Sequence, residues 1–227
     1  MVRFTLSIGF LAVLVAAATP LAAGASPGEQ ANETSDLLAA YNATIEAAMT
    51  RIESLQVRQE IVEPCEGGPH RTATALLVYE RGRGLTRTLV ESNLRYPSGK
   101  YRLESLVGPR INPQEYRVTV VGREYMEGET CLRIDVEALE RDVDHFDGSI
   151  WISLMDSGPV RVAGSVADPP FPAREILLDK SFEVVGEGLR LVRRHTGEVE
   201  VGALLGGQRG VRHIFYENYI VVAAPAR

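Results

Sequence analysis

The segment RDVDHFDG concentrates side chains that could bind a metal ion. It contains Asp142, Asp144, His145 and Asp147, which are oxygen and imidazole ligands. An EF-hand loop that starts at Asp142 needs glycine at its sixth position and glutamate at its twelfth, where this chain has Asp147 and Ser153. Turn residues and charges also collect at hairpin tips. We therefore predict a solvated hairpin loop here and no metal site.

The short motifs that usually mark a catalytic centre are missing from the sequence. It has no nucleophile elbow after a strand, no His-Glu-x-x-His, no glycine-rich phosphate loop and no Cys-x-x-Cys pair. Its four histidines are scattered. We therefore predict a protein that is not an enzyme, with no catalytic residue and no cofactor.

Charge limits the classes of partner. The chain has 24 basic and 30 acidic residues, a formal net charge of −6, and its only lysines are Lys100 and Lys180. Nucleic acid and anionic membrane surfaces attract positive proteins, so we expect neither as the main partner. One basic patch, residues 193–195, could meet an anionic head group or form a plain exposed strand face; we favour the exposed face.

The two cysteines, Cys65 and Cys131, admit three interpretations. They could form a disulfide, remain free thiols, or bind a metal together with His70 and His145. A single Cys-x4-His spacing lacks the paired ligands of zinc sites. We favour the disulfide, which would stabilise the folded chain by about 4 kcal/mol if its geometry allows.

The first residues resemble an export signal. Arg3 precedes a short apolar run, and Ala23-Gly24-Ala25 fits a signal-peptidase site. We predict a signal peptide at residues 1–25 and one mature domain at residues 26–227, secreted to the periplasm. No cysteine lies near the cleavage site, and no later segment is apolar enough to span a bilayer, so we expect no stable membrane insertion.

One helix and many strands must position any site. Apolar residues recur at helical spacing from Leu37 to Leu55, and Asn32, Thr34 or Ser35 can cap the start of this helix, which is expected to cover a core. After it, short β-branched runs alternate with turn residues, which predicts a mostly antiparallel sheet. The predicted strands are 56–62, 72–79, 85–91, 101–106, 116–123, 130–136, 149–155, 160–166, 175–185, 189–196, 198–205 and 211–222.

The order of these features resembles the LolA-like superfamily, the periplasmic outer-membrane lipoprotein-sorting fold. Matching motif positions are Gly122, Glu124, Gly128, Gly148, Trp151, Ile152, Pro159, Val160, Arg161, Tyr216 and Tyr219, whereas Ser153 stands where the family often has aspartate. The resemblance spans residues 35–222. It implies a mainly β fold with an N-terminal helix: a strongly curved antiparallel sheet that forms an incomplete barrel and is covered by helix and loops.

The resemblance also implies a non-catalytic role, for which two hypotheses remain. The first is a periplasmic carrier that binds a hydrophobic ligand, such as a lipid or an acylated peptide or lipoprotein. Its basis is apolar residues on both parities, as at Val118 to Val121, which predict that both sheet faces are covered, although the same pattern equally fits a dry core under the helix. The second is a regulatory or structural domain on the same fold that binds another envelope protein without carrying lipid.

Trp151, the only tryptophan, leads the candidates for a ligand cavity. An even loop after its strand would place Trp151 and Met155 on the same face as Val160 and Val162, whereas a three-residue loop would leave Trp151 beside Arg161. We favour the even loop and a mostly buried Trp151, with a filled core as its surroundings rather than a ligand. The full set of cavity candidates is Trp151, Met155, Val160, Val162, Phe171 and Tyr216.

Overall fold

A computed structural model describes residues 27–65, 67–94, 102–186, 188–202 and 207–224, with side chains from residue 34 onward. Residues 1–25, the predicted signal peptide, lie outside this part. The elements are α1 (Pro27–Arg51), β1 (Ile52–Glu63), β2 (Arg71–Glu80), β3 (Gly84–Ser92), α2 (Glu104–Val107), β4 (Tyr116–Met126), β5 (Glu129–Ala138), β6 (Phe146–Ser153), β7 (Pro159–Val166), β8 (Ala173–Val185), β9 (Leu189–Val201) and β10 (Arg209–Ala223).

Helix α1 buries one apolar stripe against the sheet. Its buried residues are Leu38, Tyr41, Ile45 and Ala48, spaced three and four apart as the sequence predicts. Both predicted ends are wrong: the helix begins at Pro27, before the three candidate caps, and it ends at Arg51, so that Ile52 and Leu55 lie on β1. Proline suits a first helical turn, and the polar residues that follow it include good helix formers.

The ten strands form one antiparallel sheet in the order β3-β2-β1-β10-β9-β8-β7-β6-β5-β4. Neighbours in space are neighbours in sequence except where β1 pairs with β10, which brings the first and last strands together. The edges, β3 and β4, do not pair with each other. The predicted class is therefore confirmed: a mainly β fold with an N-terminal helix and an antiparallel sheet that does not close into a barrel.

The sheet curves around α1. Nine strand spacings of about 4.8 Å would make a flat sheet about 43 Å wide, far wider than a helix of about 10 Å. Yet residues from β2, β10 and β6, including Leu77, Ile214 and Ile150, join one buried cluster with Tyr41 of α1. A single helix can hold such distant strands in one core only if the sheet wraps toward it. The face that α1 covers is called the inner face here, and its opposite the outer face.

Two predicted strand assignments are wrong. Residues 104–106, predicted as the end of a strand over 101–106, belong to helix α2, whose Leu106 and Val107 are buried. The predicted break at Gly197 is also absent, because Gly197 pairs with Leu178 on β8 and with Arg212 on β10, and β9 runs straight through it. A glycine is tolerated within a strand at some cost and is also common in turns, so composition alone cannot separate the two.

Side-chain hydrogen bonds attach α1 to the segment that follows α2. The hydroxyl of Tyr41 donates to the Pro109 carbonyl at 2.8 Å, and Asn42 both donates to and accepts from the backbone of Ile111. Gly108, which precedes Pro109, has φ +126, and a Cβ at this position would lie 3.2 Å from the side chain of Ile45. The close approach therefore favours glycine, and helix and segment form one cover over the inner face.

Candidate functional site

The β6–β7 hairpin has a register that splits Val160 from Val162. Ile150 pairs with Val162 and Trp151 with Arg161, but a register irregularity then places Ile152 opposite Pro159. Val162 consequently joins the inner core, whereas Val160 packs with Trp151 on the outer face. The favoured even loop, which would place Val162 on the same face as Trp151, is therefore wrong for Val162. The predicted burial of Trp151 is confirmed, since its side chain is 8% exposed.

The six cavity candidates do not lie together. Trp151 and Val160 belong to the small outer-face cluster, and Val162 and Tyr216 to the inner core. Met155 and Phe171 are 85% and 90% exposed, so neither packs with Trp151. The expectation that Met155 shares a face with Val160 and Val162 is wrong because Met155 lies in the β6–β7 turn, beyond the end of β6.

Trp151 is held between two arginines on the outer face. The guanidinium carbons of Arg133 and Arg161 lie 5.4 and 5.2 Å from its ring centre. Its indole N–H donates to Glu124 at 2.6 Å. Arg161 in turn makes two hydrogen bonds to Asp179, at 2.9 and 2.8 Å. Cation–π contacts and an ion pair therefore surround the ring, which is a packing arrangement and leaves Trp151 outside the inner core.

A second polar network lies next to this cluster. Arg190 is 7% exposed and bonds both oxygens of Glu129 and both oxygens of Asp156. Ser153 also donates to Glu129. These bonds raise the pKa of Arg190 against the opposing effect of burial, which is the largest single influence. The network joins the β4–β5, β6–β7 and β8–β9 hairpins.

The two cysteines are free thiols, so the favoured disulfide is not formed in this structure. Cys65 follows β1, and Cys131 lies on β5, six strand positions away in the sheet order. That separation is about 29 Å along the sheet, whereas a disulfide needs Cα atoms within about 7 Å. Burial raises the pKa of the Cys131 thiol to about 11, which keeps it protonated.

The acidic segment before β6 is a hydrogen-bonded loop. A side-chain oxygen of Asp142 accepts the backbone N–H groups of Asp144 and His145 and lies 2.7 Å from the His145 ring nitrogen Nδ1. The other ring nitrogen lies 3.7 Å from Glu115. Among the described residues, no group of three or more metal-ligating side chains is positioned to hold an ion.

One cross-strand row crosses the whole inner face and is polar at its centre. In sheet order from β4 to β3 it contains Val120, Ile134, Ile150, Val162, Lys180, His195, Ile214, Ile61, Ala73 and Ser92. Lys180 and His195 face each other directly on β8 and β9. The residues on either side of this pair in the row, Val162 and Ile214, are both buried. Two ionisable side chains thus occupy the middle of an apolar surface.

Lys180 is half-buried, and its ammonium group donates to the Ser105 carbonyl of α2 at 3.2 Å. Within the part of the chain that the structure describes, no carboxylate pairs with it. Burial lowers the pKa of Lys180 to about 8. Burial, and then the positive charge of Lys180, lower the pKa of His195 to about 3, so its imidazole is neutral at physiological pH.

The predicted basic patch is divided between the two faces. Arg193 and Arg194 are exposed, as favoured, whereas His195 belongs to the inner row. Arg212, beside His195 on the next strand, donates to Glu63 at 2.8 Å. A Cβ at Gly197, opposite Arg212, would lie 3.8 Å from His195 Nε2. The polar centre therefore continues from the Lys180–His195 pair toward the Arg212–Glu63 ion pair.

The outer face carries a groove of about 420 Å³ near the β3 edge. Val90 and Ile220 line it and are 68% and 60% exposed. At the other edge, Val120 and Val121 of β4 are 36% and 45% exposed. The expectation that both faces are covered at residues 118–121 is therefore wrong, because an edge strand has a neighbour on one side only.

No family model matches the sequence, and no curated protein sequence matches it. The chain is similar in structure to a DUF1329 family protein from Desulfovibrio piger, at 10% identity and a TM-score of 0.45, covering 82% of this chain and 92% of that one. It is also similar to a LolA superfamily protein from Nitrosomonas europaea, at 14% identity and a TM-score of 0.44, covering 82% and 94%.

A further similar structure is the MucA/MucB complex of Pseudomonas aeruginosa, at 8% identity and a TM-score of 0.28, covering 83% of this chain and 100% of that one. The Nitrosomonas protein carries the family name that the sequence resembles. Fold likeness at this distance does not transfer a ligand or a partner. Among the described helices, none is both long and apolar enough to cross a membrane.

Proposed function

We propose that this protein is a non-catalytic, periplasmic binding or carrier protein that holds a hydrophobic ligand on the inner face of its open sheet. The supporting observation is that the apolar inner surface is incompletely covered. Among the described residues, eleven partly buried apolar residues pack against the core, including Leu178, Val118 and Tyr219. A lipid or an acylated protein would bury this remaining surface.

Native mass spectrometry of the protein purified from a periplasmic extract tests this proposal. We expect a reproducible added mass that is lost on delipidation and regained on incubation with decanoate or a phospholipid. The adjacent residues Leu178 and Leu177 provide a matched pair, because Leu178 faces inward and Leu177 faces outward in the β7–β8 register. Leu178→Asn is expected to weaken retention at least about tenfold. Leu177→Asn is expected to retain it.

An empty wild-type protein that cannot be loaded would overturn the proposal, and so would equal retention by the two leucine variants. In that case the outer groove favours the second function, a domain that binds an envelope protein without lipid. Its exposed Val90 and Ile220 lie beside charged Arg58 and Glu91, the mixed composition of a protein-binding surface.

We propose export to the periplasm through a signal peptide at residues 1–25. Arg3, the apolar run and Ala23-Gly24-Ala25 support it. Amino-terminal sequencing of the periplasmic protein should begin near Ser26. Recovery of an uncleaved chain in the cytoplasm alone would contradict export.

A further inference from the structure

The Lys180 ammonium group lies in an apolar row with hydrogen-bonding capacity to spare. An ammonium group has three N–H donors, and one of them reaches the Ser105 carbonyl. The other two have no partner within the described residues, and the side chain is half-buried rather than fully enclosed. A positive charge in such surroundings is stabilised by an anion.

The charged groups around Lys180 provide no such anion. Asp179, its neighbour in sequence, points to the outer face and is held by Arg161. Glu63 on the inner face is bound by Arg212. Glu104 of α2 is exposed and makes no ion pair with Lys180 among the described residues. Within this set the carboxylates near Lys180 are paired or exposed, and its own positive charge is uncompensated.

His195 adds a neutral donor beside this charge. It faces Lys180 directly, and its Nε2 stands over Gly197, where the missing side chain leaves room. Because its imidazole is neutral, one ring nitrogen carries a proton that it can donate to an oxygen anion. Apolar residues flank the pair on both sides, as Val162 and Ile214 show. The arrangement matches a molecule with an anionic head and an apolar tail.

We propose that Lys180 and His195, with Arg212 beside them, form an anion-binding subsite that takes the carboxylate or phosphate head group of a single-chain amphiphile. The inference rests on the proposed function and deepens it, because it specifies the charge and position of the ligand's polar end. The tail lies on the apolar inner face, and the head group accepts hydrogen bonds from Lys180 and His195.

Calorimetric titration with decanoate, decyl phosphate, decanol and inorganic phosphate tests the subsite. Wild-type protein is expected to bind decanoate and decyl phosphate at least about tenfold more tightly than decanol, since a charge-assisted hydrogen bond contributes that factor. Lys180→Met should reduce decanoate affinity to the level of decanol and leave decanol binding unchanged. Lys180→Arg should keep the preference. Arg83→Met removes an exposed charge at the β2–β3 turn and should change neither affinity.

The titrations distinguish failure of the subsite from failure of the proposed function. Equal binding of decanoate and decanol by the wild-type protein overturns the subsite and leaves the carrier proposal standing. Binding of inorganic phosphate, lost in Lys180→Met, with no binding of any decyl compound, supports an anion site and overturns the carrier. An unchanged decanoate preference in Lys180→Met, with native thermal unfolding, rejects the role of Lys180.

Discussion

Trp151 and Glu124 are joined by a hydrogen bond that spans a strand, because Trp151 lies on β6, Glu124 on β4, and β5 runs between them. Trp151→Phe removes the donor and leaves the Glu124 carboxylate with one fewer partner. We expect a loss of about 1–3 kcal/mol in the free energy of unfolding, measured by urea denaturation. Decanoate binding should stay unchanged, since the ring is on the outer face. Lost binding by a stably folded variant would restore Trp151 as a ligand contact.

Arg190→Met should be among the most destabilising single changes on the outer face. It leaves Glu129 and Asp156, whose side chains are 18% and 34% exposed, without their shared arginine. Breaking a buried ion pair on one side costs about 3 kcal/mol. Urea denaturation measures the loss, and Arg190→Lys should recover little of it because an ammonium cannot bind two carboxylates in the same forked geometry. A loss below about 1 kcal/mol would contradict the structural role of the network.

Lys180→Met should stabilise the ligand-free protein at pH 7 by about 1–3 kcal/mol, because it removes a desolvated charge. Burial lowers the pKa of Lys180 from 10.5 to about 8. Between these pH values the unfolded wild-type chain binds the additional proton, so wild-type stability should rise as the pH increases from 8 to 10.5. Unfolding curves of both proteins across this range measure the difference. A destabilised variant would show that the charge already has a partner.

His195 should make the protein sensitive to acid. Burial and Lys180 lower its pKa from 6.5 to about 3, so between these values the unfolded chain binds the additional proton. Stability should therefore fall as the pH drops from 6.5 toward 3, and His195→Gln should flatten that part of the curve. Thermal unfolding at successive pH values checks this. An identical acid dependence in both proteins would contradict the neutral, buried imidazole.

His145 should act in the opposite direction. Hydrogen bonding to Asp142 is the largest of the effects on its pKa, and the pKa is raised above 6.5. The stabilisation is fully present below pH 6.5 and is lost as the pH rises through the raised value. Titration of the ring protons by NMR should give a pKa above 6.5 in the wild type, lower in Asp142→Asn. An unshifted value would indicate that the loop bonds do not persist in solution.

Local patterns predicted most of the fold. The helical spacing around Tyr41 and the alternation in the strands are properties of short segments, and both are confirmed. The register of the β6–β7 hairpin was not predictable, because an irregularity between Trp151 and Ile152 leaves Val160 as an additional residue on β7. Val160 therefore faces outward with Trp151, whereas Ile150 and Ile152 both stay in the inner core. The disulfide prediction failed for a related reason, since distance across a sheet depends on strand order and not on chain separation.

The Lys180–His195 pair had a signal that sequence reasoning missed. Leu178, Lys180 and Phe182 alternate on one parity of a predicted strand, which places a lysine between two apolar residues on one face. Its partner His195 could not be assigned, because pairing of β8 with β9 depends on the register irregularity between Ser181 and Phe182. The sequence alone shows residues 193–195 as one basic run, whereas strand geometry exposes Arg193 and Arg194 and turns His195 to the inner row.

The pairing of β1 with β10 has a consequence for how the chain acquires its structure during synthesis. Ile61 of β1 pairs with Ile214 of β10, so the middle of the sheet cannot assemble until the 15-residue strand β10 has been synthesised. The hairpins between β4 and β9 can form earlier from local contacts. A nascent chain truncated before β10 would expose two additional unpaired strands, β1 and β9, to other chains. Assembly of the middle of the sheet thus requires a chain that includes β10.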